Sequence, residues 1–234
     1  MSHDDVTQHT KKSETTMGTA TPRAIVTLDQ EAGLAAAATR LTSEFAGTFN
    51  AATVERFLHT SYADLADAAT VVTFLPLLTE KFTRQRLRAL ARVEGHDDTT
   101  KPTVLFLCVH NAGRSQMALG FFQHLSGDSA IGWSGGSEPG GQLEPAVVQS
   151  MHDAGIDITG EFPKPWTDEV VQAADVVITM GCDDACPVFP GKRYEEWELA
   201  DPAGLDVADV APLRDDIERR VRRLLEELRI PVGS

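Results

Sequence analysis

No stretch of this chain stays apolar for anything near the ~20 residues that a membrane-spanning helix needs, so none is expected to cross a bilayer. Residues Met1 to Thr21 are polar, rich in Ser, Thr, Lys and His, and lack the apolar core of a secretory signal; the expected compartment is the cytoplasm. Positive charge is scarce. The 21 Lys and Arg face 35 Asp and Glu, a formal net charge of −14 that argues against nucleic acid or an anionic membrane as partner. Cysteine is scarcer: the three present, Cys108, Cys182 and Cys186, make no disulfide framework and suit nucleophilic or redox chemistry in a reducing compartment. Two of them, Cys182 and Cys186 with Pro187 behind, have the look of half a zinc site, but no matching Cys or His pair exists to complete it.

The 234 residues, 42% of them hydrophobic, suffice for one good core and a smaller second domain. Three regions follow from the patterning. Residues 1–24 form a tail of low hydrophobicity, expected to be disordered. Residues 25–94 read as three amphipathic helices: Leu34, Ala38, Leu41, Phe45 and Phe49 mark the first, and Val54, Phe57, Leu58, Tyr62 and Leu65 the second. Leu75, Leu78, Phe82, Leu87 and Leu90 mark the third, with Pro76 tolerable in a first turn. That helix also carries Lys81, Arg84, Arg86, Arg88 and Arg92, more readily a solvated or docking face for the acidic second domain than a ligand site. Glu94 to Lys101 is the expected linker.

From residue 101 to 234 strand and helix patterns alternate. Apolar strands are expected at Val104 to Cys108, Ala130 to Ser134 and Ala174 to Met180, with an extended stretch at Tyr194 to Leu199. Helices are expected after Ser115, from Glu144 to Ala154, near Thr167 to Ala173, and from Val210 to Leu228. Such alternation implies a doubly wound α/β fold, a parallel four-stranded sheet preceded by the small helical bundle. Ligands on such sheets bind beyond the carboxyl ends of the strands, where Cys108 and the residues after Met180 both fall.

The run VLFLCVHNAGRSQMA carries the chemistry. Cys108 ends a strand and Arg114, six positions on, opens a helix, so Val109, His110, Asn111, Ala112, Gly113 and Ser115 occupy a loop at a helix N-terminus. Backbone N–H groups there have no intrahelical partner and converge on an anion, with the helix dipole adding favourable potential. A thiol in that field is activated as a nucleophile, and a planar guanidinium at Arg114 clamps two oxygens of a tetrahedral oxyanion. Ser115 is placed to donate to the sulfur, and Asn111 tolerates the left-handed backbone the loop requires. The acid such a reaction lacks is Asp201, in an Asp-Pro turn stiffened by Pro202. Cys182 and Cys186 then read best as a redox relay, one thiol attacking an adduct on Cys108 and the other resolving the disulfide.

The Cys108 loop resembles that of the low-molecular-weight tyrosine phosphatase superfamily. With the two later cysteines and the Asp-Pro turn, the run CVHNAGRSQMA is similar to the arsenate reductases built on that fold, over roughly Pro102 to Leu228. The helical extension is similar to one found ahead of such domains in some actinobacterial members. The resemblance implies a cytoplasmic enzyme of arsenic detoxification that takes arsenate, with phosphate or sulfate as competitors, and reduces it to arsenite. It implies Cys108 as nucleophile, Arg114 and the loop amides as oxyanion site, Asp201 as acid, and Cys182 and Cys186 as the relay. Thioredoxin is the expected electron donor, a low-molecular-weight thiol with a glutaredoxin-like protein the alternative. No cofactor or metal is expected: Asn111 matches a potassium ligand of some relatives, but Leu119 stands where their Glu does. The later cysteines are also closer together than in the best-known relatives, which leaves the order of their attack open.

Two other readings fit the same residues. A tyrosine phosphatase would use Cys108, Arg114 and Asp201 alike, yet Ala203 follows Pro202 where such enzymes carry aromatics, and Gly113 stands where they carry a second cysteine. A non-catalytic oxyanion or arsenical sensor would have no use for Asp201.

Overall fold

A computed structural model of the protein describes residues 27–66, 74–97, 99–181 and 188–233. The expected tail, residues 1–24, and the pair Cys182 and Cys186 lie outside the described residues.

The three N-terminal helices fall where the apolar spacing puts them: α1 at Leu28–Glu44, α2 at Ala51–Ala66 and α3 at Leu75–Val93. Local chemistry fixes their starts. Thr27 and Gln30 form a reciprocal capping box, with Gln30 N–H donating to Thr27 Oγ1 at 3.3 Å and Thr27 N–H to Gln30 Oε1 at 2.9 Å. Asn50 Oδ1 accepts from Thr53 N–H at 2.8 Å ahead of α2, and Pro76 sits in the first turn of α3, where its missing N–H costs nothing. Ala37, Leu41, Phe45, Val54, Leu58 and Leu87 close the interior between the three.

The remaining chain alternates as the patterning requires: β1 at Thr103–Cys108, α4 at Arg114–Ser126, β2 at Ile131–Gly136, α5 at Pro145–Asp153, α6 at Asp168–Ala173, β3 at Val176–Met180, β4 at Arg193–Glu196 and α7 at Val207–Glu227. The strands form one parallel sheet in the order β2-β1-β3-β4. The chain leaves β1 for β2 on one side and continues to β3 on the other, so the order reverses beside β1, and the crevice at its carboxyl end is the ligand position of such sheets. Cys108 pairs in register with Gly136 on one side and Met180 on the other.

Strand alternation divides the core. Val104, Phe106 and Cys108 of β1 face the layer of α4, α5 and α7, while Leu105 and Leu107 face the opposite layer. That second layer is α6 together with α3: Ala89 lies in one buried cluster with Leu105, Leu107, Val170 and Val177. The N-terminal helices are therefore more closely joined to the sheet than the linker at Glu94 to Lys101 suggests.

The basic row on α3 accounts for its own charges. Arg86, nearly buried, donates to Glu169 of α6 at 2.6 Å, Arg92 to Asp175 at 2.8 Å and Lys81 to Glu161 at 2.9 Å, all across to the α/β part. Arg84 and Arg88 pair with Glu44 of α1. The docking-face reading holds for Lys81, Arg86 and Arg92, through charge complementarity with the acidic partner, while Arg84 and Arg88 tie α3 to α1 instead.

Candidate active site

Peptide geometry shapes the loop after β1 as a candidate anion cradle. Its carbonyls point outward and are tied there: Val109 O accepts from Glu138 N–H at 2.9 Å, His110 O from Gly140 N–H at 2.8 Å and Ala112 O from Glu144 N–H at 3.0 Å. Asn111 O accepts from the Gln116 side chain at 3.0 Å. A trans peptide sets its C=O and N–H on opposite sides, so the N–H groups of His110, Asn111, Ala112 and Gly113 face the loop centre. One is already on the sulfur, Asn111 N–H donating to Cys108 Sγ at 3.2 Å.

Cys108 is 2% exposed, and its Sγ lies 3.0 Å from Ser115 Oγ. Asn111 has φ of 48°, the left-handed conformation that Asn accepts at small cost. Its side chain holds that geometry, Nδ2 donating to Ser115 Oγ at 2.8 Å while Oδ1 accepts from Lys164 N–H at 3.0 Å and Gln116 Nε2 at 3.1 Å. Arg114 is the first residue of α4, and its guanidinium reaches Asp201 Oδ2 at 3.2 Å and Leu199 O at 3.5 Å. Asp201, half exposed, also accepts from Ala203 N–H at 3.1 Å, the turn bond that aims it. Guanidinium and carboxylate thus meet at the end of the loop that begins at Cys108, although Asp201 lies 87 residues from Arg114 in sequence.

Two glycines let these parts approach. A methyl on Gly113 would come within 2.5 Å of Pro202 Cγ, so the Asp-Pro turn is seated directly on the loop. A methyl on Gly181, whose φ is +70°, would come within 2.9 Å of Arg114 Nη1; the segment that continues to Cys182 therefore leaves β3 from beside the guanidinium.

Sequence reasoning missed Gln116, Lys164 and Glu161. Lys164 is 2% exposed, with its ammonium near Ser134 Oγ at 3.3 Å, Phe162 O at 3.3 Å and Glu161 Oε2 at 3.4 Å. Burial pushes that ammonium below the ordinary lysine value, against the attraction of Glu161. For Glu161, burial works upward, but the charges of Lys164 and Lys81 outweigh it and hold the carboxyl below its ordinary range. Nothing in the segment GEFPKPW marks these residues, because their roles arise from a loop folded back onto the site. Leu119, at the position where some relatives are implied to carry a cation-binding Glu, is buried in the apolar core.

A family model described as low molecular weight phosphotyrosine protein phosphatase matches residues 103–232, and one described as the N-terminal domain of protein-tyrosine-phosphatase-like proteins matches residues 34–91. The chain is similar to a thioredoxin-dependent arsenate reductase of Corynebacterium glutamicum of known structure, at 41% identity and a TM-score of 0.76, over 84% of this chain and 96% of that one. It is 35% identical to a putative arsenate reductase of Halobacterium salinarum over 136 residues, 56% of this chain and 94% of that protein. With an arsenate reductase of Staphylococcus epidermidis it shares 36% identity over 125 residues, 52% of this chain and 93% of that protein.

Proposed function

Because the chain belongs to the low molecular weight phosphotyrosine protein phosphatase family, we propose that it puts that family's thiol-and-arginine loop to use in reducing arsenate to arsenite, with thioredoxin as electron donor. Arsenate binds through the inward amides and Arg114, where charge-assisted, bidentate hydrogen bonds favour a dianion. Phosphate and sulfate, of the same shape, compete. Cys108 attacks arsenic, forming the S–As bond as the As–O bond breaks, and Asp201 supplies the proton with which that oxygen leaves as water. Ser115 and Asn111 N–H steady the sulfur at both ends of the step.

The Cys182 thiolate then attacks Cys108 Sγ. An S–S bond forms, the S–As bond breaks, and its electron pair stays on arsenic, which departs as arsenite. Cys186 attacks the sulfur of Cys182, freeing Cys108 and leaving a Cys182–Cys186 disulfide for thioredoxin. A low-molecular-weight thiol with a glutaredoxin-like protein is the competing donor; the three thiols of the chain favour thioredoxin. Arsenic detoxification in the cytoplasm is the setting, in keeping with the lack, among the described residues, of any helix long and apolar enough to cross a membrane.

The observation that favours reductase over phosphatase is Gly181. The two thiols that a phosphatase would leave idle follow Gly181 directly in sequence, and Gly181 itself lies beside the Arg114 guanidinium. The test is arsenate-dependent NADPH oxidation with thioredoxin and its reductase, beside para-nitrophenyl phosphate hydrolysis. Cys186→Ser is expected to complete one turnover and stall as a Cys108–Cys182 disulfide, seen by mass mapping, while any weak phosphatase activity survives. Normal turnover by both Cys182→Ser and Cys186→Ser would refute the relay.

A further inference from the structure

Between α5 and α6 the chain folds back as a strap, residues 160–164, gripped from both sides. On the outer side Lys81 of α3 donates to Gly160 O at 2.8 Å and to Glu161 Oε1 at 2.9 Å. Phe162 is 6% exposed, buried among Leu65, Leu75 and Phe82, all from the N-terminal helices. The Lys81 and Lys164 ammonium groups stand 5.6 and 4.8 Å from the centre of its ring. On the inner side the strap's backbone meets the oxyanion loop: Lys164 N–H donates to Asn111 Oδ1, and Phe162 O accepts from Gln116 Nε2 at 3.0 Å. Gln116 Nε2 also reaches Asn111 O, and Asn111 N–H is the donor to Cys108 Sγ.

We propose that Lys81 is a positioning residue for the oxyanion loop, acting through Glu161 and the strap on Asn111, so that the N-terminal helices set the geometry of the site they do not touch. The physical reason is the cost of the conformation at Asn111. A left-handed non-glycine residue persists only where its surroundings over-determine it, and both acceptors of its side-chain and main-chain amide are engaged by the strap and by the glutamine that the strap orients. Glu161 needs two cations because it is largely buried; without Lys81, Lys164 alone answers its charge and is drawn toward it, away from Ser134 and Phe162 O. The proposal rests on reading Cys108 to Ser115 as an oxyanion site, and is independent of arsenate as the substrate.

The test uses the full chain with inorganic phosphate as probe: alkylation of Cys108 by iodoacetamide, followed by peptide mass, is measured against phosphate concentration well below the melting temperature. Lys81→Met and Glu161→Gln should each weaken protection by roughly fivefold, a range set by loss of one partly screened charge contact. Lys81→Arg, which restores both donors, should return it to the wild-type value. Arg84→Met removes an equal charge from the same helix, but its partners are Glu44 and Glu80 and not the strap, so protection should stay unchanged. Equal protection in wild type, Lys81→Met and Glu161→Gln would overturn the coupling, as would an equal loss in Arg84→Met, which would mark simple charge attraction. If phosphate fails to protect the wild-type thiol, the oxyanion-site reading itself falls.

Discussion

Gly113→Ala should cost the enzyme about a hundredfold in turnover while leaving its oxyanion site intact. Gly113 has φ of −134°, outside the left-handed region that calls for glycine, and the effect worked out here is the steric one. The new methyl would lie 2.5 Å from Pro202 Cγ and 3.7 Å from Val147 Cγ2. Carbon atoms settle at about 3.5 to 4.0 Å, so something must move by roughly 1 to 1.5 Å. Val147 is fully buried behind the loop and gives no room, and the pyrrolidine ring cannot rotate out of the way. The Asp-Pro turn must retreat, which opens the 3.2 Å contact between Arg114 and Asp201. A displacement of about 1 Å in a catalytic group costs on the order of a hundredfold, about 2.7 kcal/mol of barrier. The assay is kcat for arsenate with thioredoxin and its reductase, beside phosphate protection of Cys108, which should change by no more than about threefold because the amides stay in place. Asp201→Ala supplies the second corner of a double-mutant cycle. Once the acid is gone, Gly113→Ala should add little. A kcat within about threefold of wild type, or full additivity of the two substitutions, would refute the reasoning.

Arg114→Lys keeps the charge but not the fork that engages Asp201 and two oxygens of the anion, so kcat/KM should fall by on the order of a hundredfold or more; near-normal kinetics would remove the clamp from the mechanism. Acid should destabilise the fold through Glu80 and Glu161. The hydrogen bond from Arg40 holds Glu80 below its ordinary 4.5, burial opposing and Arg84 assisting, and Glu161 is likewise held low. For carboxyls depressed in the folded state, the stabilisation is present above the ordinary range and is lost as pH falls through the depressed values. Urea midpoints should therefore drop below about pH 4.5, less steeply in Glu80→Gln, and parallel curves would sink the assignment. Truncation to Lys101–Ser234 keeps every catalytic residue proposed above, but it strips α3 from Leu105, Leu107 and Val177 and removes the pocket of Phe162. At about 1.5–3 kcal/mol for each large apolar side chain exposed, calorimetry should find it unfolded or strongly destabilised; a wild-type melting temperature would show that α3 is dispensable.

How much was legible in the sequence follows from which signals are local. Helix and strand periods are local, so α1, α2 and α3 and the strands of the sheet fall where Leu34 to Phe49 and Val104 to Cys108 put them. The Cys108 loop is equally local, because strand, loop and helix start lie within one run of residues, and Asn111 declares its left-handed turn by its own side chain. Asp201 was readable only in company: an Asp-Pro turn is ordinary by itself, and the Cys108 and Arg114 loop ahead of it is what singles it out as the candidate acid.

Tertiary structure decided what depends on approach between distant segments. That α3 serves as a layer over the sheet, and not only as a bundle helix, turns on Ala89, a residue too small to stand out in any periodic pattern but small enough to let the helix sit close. The requirement for glycine at 113 comes from Pro202, and that at 181 in part from Arg114, contacts that exist only once the loops meet. Lys164 and Glu161 look like ordinary surface charges in sequence; burial beneath the site and against α3 is what makes them a paired, costly and therefore informative part of it. Composition and period are properties of neighbours along the chain and determine the elements and the run that carries Cys108 and Arg114. Desolvation and close packing are properties of neighbours in space, and they alone decide what holds the Cys108 loop in place.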